Sequence, residues 1–108
     1  MVRLILESEA PPLREDESGV IRVGNSRVLL ELVIRAFQDG AAPESIVQRY
    51  STLSLADVYG AIGYYLRHQQ AVKDYLNQRE ELARSVQQRL SAIQPDLRAP
   101  RKIYLLQS

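Results

Sequence analysis

Apolar side chains recur at helical spacing through the middle of the chain. The first set, at positions i, i+3, i+4 and i+7, consists of Leu30, Val33, Ile34 and Phe37. This is the spacing of one buried helix face. Gly40 follows where such a helix would end, because glycine adopts the left-handed backbone of the C′ position without strain. The pattern predicts a first helix that ends just before Gly40.

Two further helices follow at short intervals. Pro43 suits the first position of the second helix, because its φ is already helical and its missing amide proton is not needed there. The predicted inner face of this helix is Ile46, Val47 and Tyr50. Ser54 and Asp57 have the spacing of a capping box at the start of a third helix. Its predicted inward side chains are Val58, Ile62, Tyr65 and Leu66. Three helices joined by such short turns are typical of a helix-turn-helix.

Short β-prone runs precede the helices. Residues 20–23 and 27–29 flank the turn Gly24-Asn25-Ser26. Gly and Asn tolerate the positive φ of tight turns, so these two runs predict a β-hairpin. A lone hairpin is marginally stable, and we expect it to pack against the helices. Upstream, the Pro11-Pro12 break and the charged turn at 14–19 indicate an arm outside the core.

The third helix has no obvious end before Pro95. From Ser54 to Gln94 the sequence permits one helix of roughly 60 Å at 1.5 Å per residue. Beyond residue 70 an apolar stripe continues at alternating spacings of three and four, interrupted by Arg79. Its members are Val72, Leu76, Ala83, Val86, Leu90 and Ile93. So small a domain cannot bury all of this helix. Either the helix bends near residues 68–71, or the stripe contacts another chain.

Together these patterns predict a mainly α fold. A short N-terminal β-hairpin is followed by a three-helix helix-turn-helix core and a C-terminal helical extension. The predicted organisation is an arm at 1–18, the hairpin and core at 19–70, a helix for association at 71–94, and a tail at 95–108.

Composition narrows the class of protein. Apolar residues make up 45% of the 108-residue chain, which is typical of a folded domain. The apolar runs are short, so we expect no membrane span, no signal peptide and a cytoplasmic location. There is no cysteine, which excludes disulfides and thiol catalysis. Fourteen Lys and Arg against thirteen Asp and Glu leave a net charge of +1, so charge alone does not favour nucleic acid.

The chain carries little catalytic material. His68 is its only histidine, and no carboxylate or serine partner is recognisable by spacing. We interpret it as a solvated helix residue rather than a general base or a metal ligand. Gly60 and Gly63 lie within a helix and lack the Lys-Ser/Thr of a phosphate-binding loop. We therefore expect no catalytic residue, cofactor, metal site or small-molecule substrate, and no enzyme.

Tyrosine is the one plentiful aromatic residue, and four of the six lie on the third helix or its extension. They suit either the edge of the core or an interface between proteins. The third helix could also contact DNA with its outward positions. These are Ser54, Ala56, Asp57, Gly60, Ala61, Tyr64 and Arg67. Across the domain, the candidate DNA contacts are Arg27, Arg49, Ser54, Tyr64 and Arg67.

The stretch from Ile21 to Leu66 resembles the domain-of-unknown-function family 433. The resemblance rests on Gly24-x-x-Arg27-Val28, Gly40, Pro43-Glu44-x-Ile46, Tyr50-x-x-Leu53, Leu55-x-Asp57-Val58 and Tyr64-Tyr65-Leu66, in this order. It implies the hairpin followed by three helices. It also implies an antitoxin-like role, with a PIN-like nuclease toxin and DNA as partners. Ala42 departs from the Ser or Thr frequent in the family before Pro-Glu. The family pattern also favours a new helix near residues 70–71, and hence a bend.

The sequence favours an antitoxin-like regulatory module that forms a homodimer and binds a protein partner, with operator DNA as a further candidate ligand. The stripe from Val72 to Ile93 is the predicted partner interface. The alternative is a structural oligomerisation module with no nucleic-acid binding.

Overall fold

A computed structural model describes Leu4 and residues 9–93. Two short strands come first, β1 (Leu13–Glu15) and β2 (Ile21–Val23), and four helices follow. The helices are α1 (Leu30–Gln38), α2 (Pro43–Arg49), α3 (Leu55–Arg67) and α4 (Gln69–Ile93). The predicted fold class, mainly α with an N-terminal hairpin and a long C-terminal helix, is confirmed. The predicted tail at 95–108 and most of the arm's first eight residues lie outside the described residues.

The hairpin pairs different strands from those predicted. β2 pairs antiparallel with β1, in the register Leu13 to Val23. Residues 27–29, the predicted partner of β2, form only an isolated bridge, which joins Leu29 to Arg22. β1 therefore includes Arg14 and Glu15, which were predicted to belong to a charged turn. The Pro11-Pro12 pair directly precedes this strand, and the charged residues of the predicted turn begin within it.

Asp16 organises the turn between the two strands. Its Oδ1 accepts hydrogen bonds from the amides of Ser18 (2.9 Å) and Val20 (3.1 Å) and from the Ser18 hydroxyl (2.7 Å). Its Oδ2 forms an ion pair with Arg22 at 2.6 Å. The Arg22 guanidinium, followed by the Ser18 hydroxyl, holds the pKa of Asp16 well below its usual range. The Asp16 carboxylate therefore stays charged through the pH range in which an ordinary aspartate takes up its proton, and the turn keeps its hydrogen-bond acceptor there.

The core lies between β2 and the first three helices. Its largest fully buried side chains are Val23, Leu30, Val33, Ile34, Ile46 and Val58. Burying side chains of this size contributes roughly 1.5–3 kcal/mol each. Phe37 is half-buried and meets the Tyr65 ring edge-on, with centroids 6.3 Å apart. The predicted face of α1 is thus confirmed, with Phe37 at its margin.

The predicted helix boundaries agree with the backbone. Gly40 has a φ of 97° and follows the C-cap Asp39 of α1, while Pro43 is the first residue of α2. Ser54 and Asp57 form the predicted capping box of α3. Ala42, at the N-cap of α2, makes no side-chain capping bond.

The buried face of α3 differs from the predicted one at its end. Val58, Ile62 and Tyr65 are buried, as predicted, but Leu66 is 51% exposed. Ala61, predicted to point outward, is fully buried. The buried face is therefore an i, i+3, i+4, i+7 set, to which Ala61 belongs and Leu66 does not.

The third helix ends at Arg67, so a single helix running from residue 54 to 94 is wrong. His68 leaves the helical backbone, with φ −134° and ψ 49°, and α4 begins at the next residue. The chain divides into two compact units, Met1–Gln69 and Gln70–Ser108. In the described part of the chain, no helix combines the length and apolar character needed to cross a membrane.

Candidate functional site

A tight turn between β2 and α1 places Arg27 at the surface. The turn uses Gly24 in the left-handed conformation, with φ 61°. Ser26 stabilises it, because the Ser26 hydroxyl donates to the Val23 carbonyl at 2.7 Å and accepts from the Val28 amide at 3.0 Å. Arg27 is exposed and makes no side-chain hydrogen bond or ion pair within the described part of the chain. The turn thus presents an available guanidinium group.

Strand β1 and the proline before it fasten this turn from the other side. Arg14 donates from Nε to the Gly24 carbonyl and from Nη2 to the Ser26 carbonyl, each at 2.6 Å. The Gly24 amide donates to the Pro12 carbonyl at 2.7 Å. Charge-assisted bonds of this length are among the stronger ones in proteins. Sequence reasoning missed the role of Arg14, because nothing in its local pattern indicates contact with a turn ten residues away.

The start of α3 packs against the same glycine. The Asp57 amide donates to the Ser54 hydroxyl at 3.0 Å, and the Ser54 amide donates to the Asp57 carboxylate at 3.4 Å. A Cβ atom on Gly24 would lie only 2.8 Å from Cγ of Asp57. Asp57 therefore caps the helix, as predicted, and also packs on the glycine turn.

These elements surround a surface recess that brings together two of the five candidate DNA contacts, Arg27 and Ser54. Its lining is Pro11, Pro12, Leu13, Arg14, Gly24, Asn25, Ser26, Arg27, Thr52, Ser54 and Asp57. The Ser54 oxygen is already engaged in capping, so Arg27 supplies the available charged donor here.

The other three candidate contacts lie apart from this recess. Arg67 lines a second recess together with Gly60, and this recess shares Pro11, Pro12 and Asp57 with the first. Tyr64 stacks on His68, with ring centroids 4.4 Å apart and planes tilted by 32°. Arg49 is exposed in the last turn of α2. Of the five residues, only Arg27 and Ser54 therefore line the same recess in the region that the structure describes.

The segment before β1 covers part of the outward face of α3. Pro12 packs directly on Gly60, since a Cβ atom there would lie 2.7 Å from Cγ of Pro12. Glu9, Ala10 and Pro11 line the recess beside it, together with Ala56 of α3. Insertion of this face into a DNA groove would require the segment to move away.

Two tyrosines of α3 form hydrogen bonds to earlier helices, one from within the core and one from its edge. Tyr65 is buried, and its hydroxyl accepts from Nε2 of Gln38 at 3.3 Å. Tyr59 is 52% exposed, and its hydroxyl donates to the Glu44 carboxylate at 3.2 Å. This hydrogen bond and the negative charge of Glu44 raise the pKa of Tyr59. Two of the tyrosines on α3 thus connect it to the helices before it.

Helix α4 carries the predicted partner interface, in two parts. Val72 and Leu76 are buried, with 3% and 6% of their surface exposed. The other four residues are exposed and form what is called here the exposed seam: Ala83, Val86, Leu90 and Ile93. Leu82, 51% exposed, lies beside it. From residue 80 to 93 every side chain is exposed except the half-buried Ser91.

Among the described residues, no group of three or more His, Cys, Asp or Glu side chains is arranged to hold a metal ion. His68 has the Tyr64 ring as its aromatic neighbour.

These features define a small, mainly helical domain in which a two-stranded sheet and a glycine turn are joined to a capped third helix. The sequence profile of a family described as "Protein of unknown function (DUF433)" matches residues 17–65. This match to residues 17–65 confirms the resemblance found in the sequence. No curated protein and no solved structure matches the chain. The matched stretch contains the Gly24 turn and the α3 cap, but neither β1 nor α4.

Proposed function

We propose that this protein is a non-enzymatic, antitoxin-like regulatory module that acts by binding other macromolecules. The observation that carries the proposal is the exposed seam of α4. Val86, Leu90 and Ile93 expose 39%, 55% and 72% of their surface along one helix. Contiguous exposed apolar surface of this kind marks interaction sites. The seam also lies outside the stretch shared with the family, as expected of a surface specific to one member's partners.

The toxin partner is proposed from the family resemblance. Co-expression with the product of the adjacent gene tests it directly. A stable complex with a PIN-like nuclease would support the proposal. A neighbour that is not nuclease-like and forms no complex would contradict it.

DNA contact is proposed through the phosphate backbone. Arg27 is the best candidate, because its guanidinium is exposed and has no partner within the described part of the chain. Arg49 and Arg67 are exposed as well. Such contacts give affinity without sequence readout, and they weaken steeply with salt.

Replacing Arg27 with alanine is expected to weaken binding to the upstream DNA and to lower the salt slope by about one unit. Gel-shift titrations at several salt concentrations measure both quantities. Arg84→Ala is the matched control, since it removes the same charge from α4, where the Arg84 side chain is 63% exposed. Equal losses in the two variants would show that only net charge matters and would contradict a contact at Arg27.

A second candidate function is a structural oligomerisation module with no nucleic-acid contact. It is favoured by the packing of Pro12 on Gly60, which obstructs the outward face of α3. In the same titrations, no shift at any salt concentration would leave only this function.

A further inference from the structure

The exposed seam of α4 has the repeat of a two-helix coiled coil. Counted from Leu76, the positions 79, 83, 86, 90 and 93 alternate in steps of three and four, an average of 3.5 residues. All except position 79 are apolar. This repeat keeps one stripe facing a single partner helix along its length. The geometry therefore specifies a helix as the occupant.

We infer that the occupant is α4 of a second copy of this chain, lying antiparallel, with the twofold axis between residues 84 and 85. This inference rests on the proposed association function and adds the partner, the orientation and the register. In this register Ala83 faces Val86 of the second copy, and Arg79 faces Leu90 of the second copy. Each contact occurs twice, as a symmetric dimer requires.

Residue size and charge favour this arrangement over a parallel one. In a parallel dimer in register, each Arg79 would face its own copy within the seam, and two like charges would be desolvated together. In the antiparallel register, the stem of Arg79 covers Leu90 near the end of the overlap and its charged group reaches water. The small Ala83 faces the β-branched Val86, so the centre is filled without a clash.

The flanking positions also carry no like-charge contact in this register. Glu80 lies next to Gln87 of the second copy, and Leu82 lies next to Arg89 of the second copy. A shift by one heptad toward the N-terminus of α4 would place Glu80 next to its own copy, and the opposite shift would place Arg89 next to its own copy. The first of these shifts would also bring Val72 and Leu76 into the seam, although both are already buried. The register centred between residues 84 and 85 leaves Val72 out of the seam and places Leu76 only at its end, opposite Ile93. Its central positions, Ala83, Val86 and Leu90, are exposed, and Arg79 is half-buried.

The length over which the two α4 helices overlap sets the expected affinity of the dimer. In this register residues 79–90 of the two copies lie opposite one another over about 18 Å of helix. Their contact buries on the order of 1,000 Å², at the lower limit for specific interfaces. We therefore expect a dimer that dissociates in the micromolar range.

Spin labels at three single cysteines test the orientation, which is convenient because the chain has no cysteine of its own. Gln78→Cys, Ser85→Cys and Ala92→Cys place labels on exposed positions one heptad apart, so all three have the same angular position. In the inferred dimer, the two labels at position 85 are separated by about 1.5 Å along the helix axis. Labels at positions 78 and 92 are separated along the axis by roughly 20 Å.

The expected result of dipolar spin-label spectroscopy is therefore a shortest distance at position 85 and similar, longer distances at 78 and 92. Equal distances at all three sites would show a parallel dimer and overturn the inference while leaving self-association intact. A steady change from 78 to 92 would overturn the register. The absence of dipolar coupling at concentrations well above the expected dissociation constant would show that a second copy is not the occupant. The toxin and DNA proposals would then still be judged by their own experiments.

Discussion

Gly24→Ala is expected to lower the free energy of unfolding by about 3 kcal/mol or more. Two costs combine at this position. The backbone has φ 61°, a conformation that alanine adopts with strain. The new methyl group would also meet the carboxyl group of Asp57, whose Cγ would be 2.8 Å away. Since Asp57 caps α3, it cannot move away without weakening the capping box.

Gly40→Ala is the matched control for this prediction. Gly40 also has a positive φ, 97°, but nothing lies within 4 Å of its added Cβ atom. Only backbone strain applies there, so we expect a loss of about 1–2 kcal/mol. Urea unfolding monitored by circular dichroism measures both values. Equal losses in the two variants would contradict the packing of Asp57 on the turn.

Gly60→Ala is expected to destabilise the protein by about 1–3 kcal/mol, although alanine is normally the better helix residue. The methyl group would lie 2.7 Å from Cγ and 2.8 Å from Cδ of Pro12, and a proline ring cannot rotate away. Gly63→Ala is the matched control on the same helix. Its nearest neighbour is the flexible end of Arg67, at 3.5 Å. That variant should gain up to about 1 kcal/mol, and thermal or urea unfolding would reveal the opposite signs.

The double variant Pro12→Ala with Gly60→Ala tests the contact between Pro12 and position 60 by itself. With the ring removed, the methyl group at position 60 has room, and the loss due to Gly60→Ala should largely disappear. If Gly60→Ala costs the same in both backgrounds, Pro12 does not pack on α3 as described. A stabilising Gly60→Ala in the wild-type background would lead to the same conclusion.

Local chemistry made the helix boundaries predictable. Gly40, Pro43 and the Ser54–Asp57 pair each act within a few residues of their own position, so the sequence pattern is enough to locate them. The apolar face of α1 was predictable for the same reason, since its spacing is a property of one helix. The break between α3 and α4 was the favoured alternative, and only the family pattern, not the residues around His68, pointed to it.

Contacts across longer separations were not predictable. β1 is three residues long and depends on pairing with β2 and on the bonds from Arg14 to the Gly24 turn. Its own sequence contains two charges, which do not favour a strand. At the end of α3, the size of Leu66 suggested burial, whereas the helix phase buries the small Ala61 instead. Side-chain size is a poor guide where a helix edge meets solvent.

In the candidate site, too, the local features were predictable from the sequence and the long-range contacts were not. The roles of Gly24 and Asp57 in shaping the turn and the cap followed from residue type and spacing. The cover that Pro12 provides over Gly60 did not, because it joins segments 48 positions apart in sequence. This cover makes α3 a poor groove-binding helix while the segment before β1 stays in place. The exposed seam of α4 is consequently the surface on which the proposed function chiefly depends.

Sedimentation velocity of the full chain, at protein concentrations from low micromolar to about 100 μM, tests most directly whether the exposed seam is the association surface. We expect the wild-type protein to sediment increasingly as a dimer, and Leu90→Glu to remain monomeric, because it places a charge within the seam. Ser85→Glu, an exposed position on another face of the same helix, should dimerise like the wild type. A wild-type protein that stays monomeric throughout this range, or two variants that behave alike, would contradict the assignment of the exposed seam as the association surface.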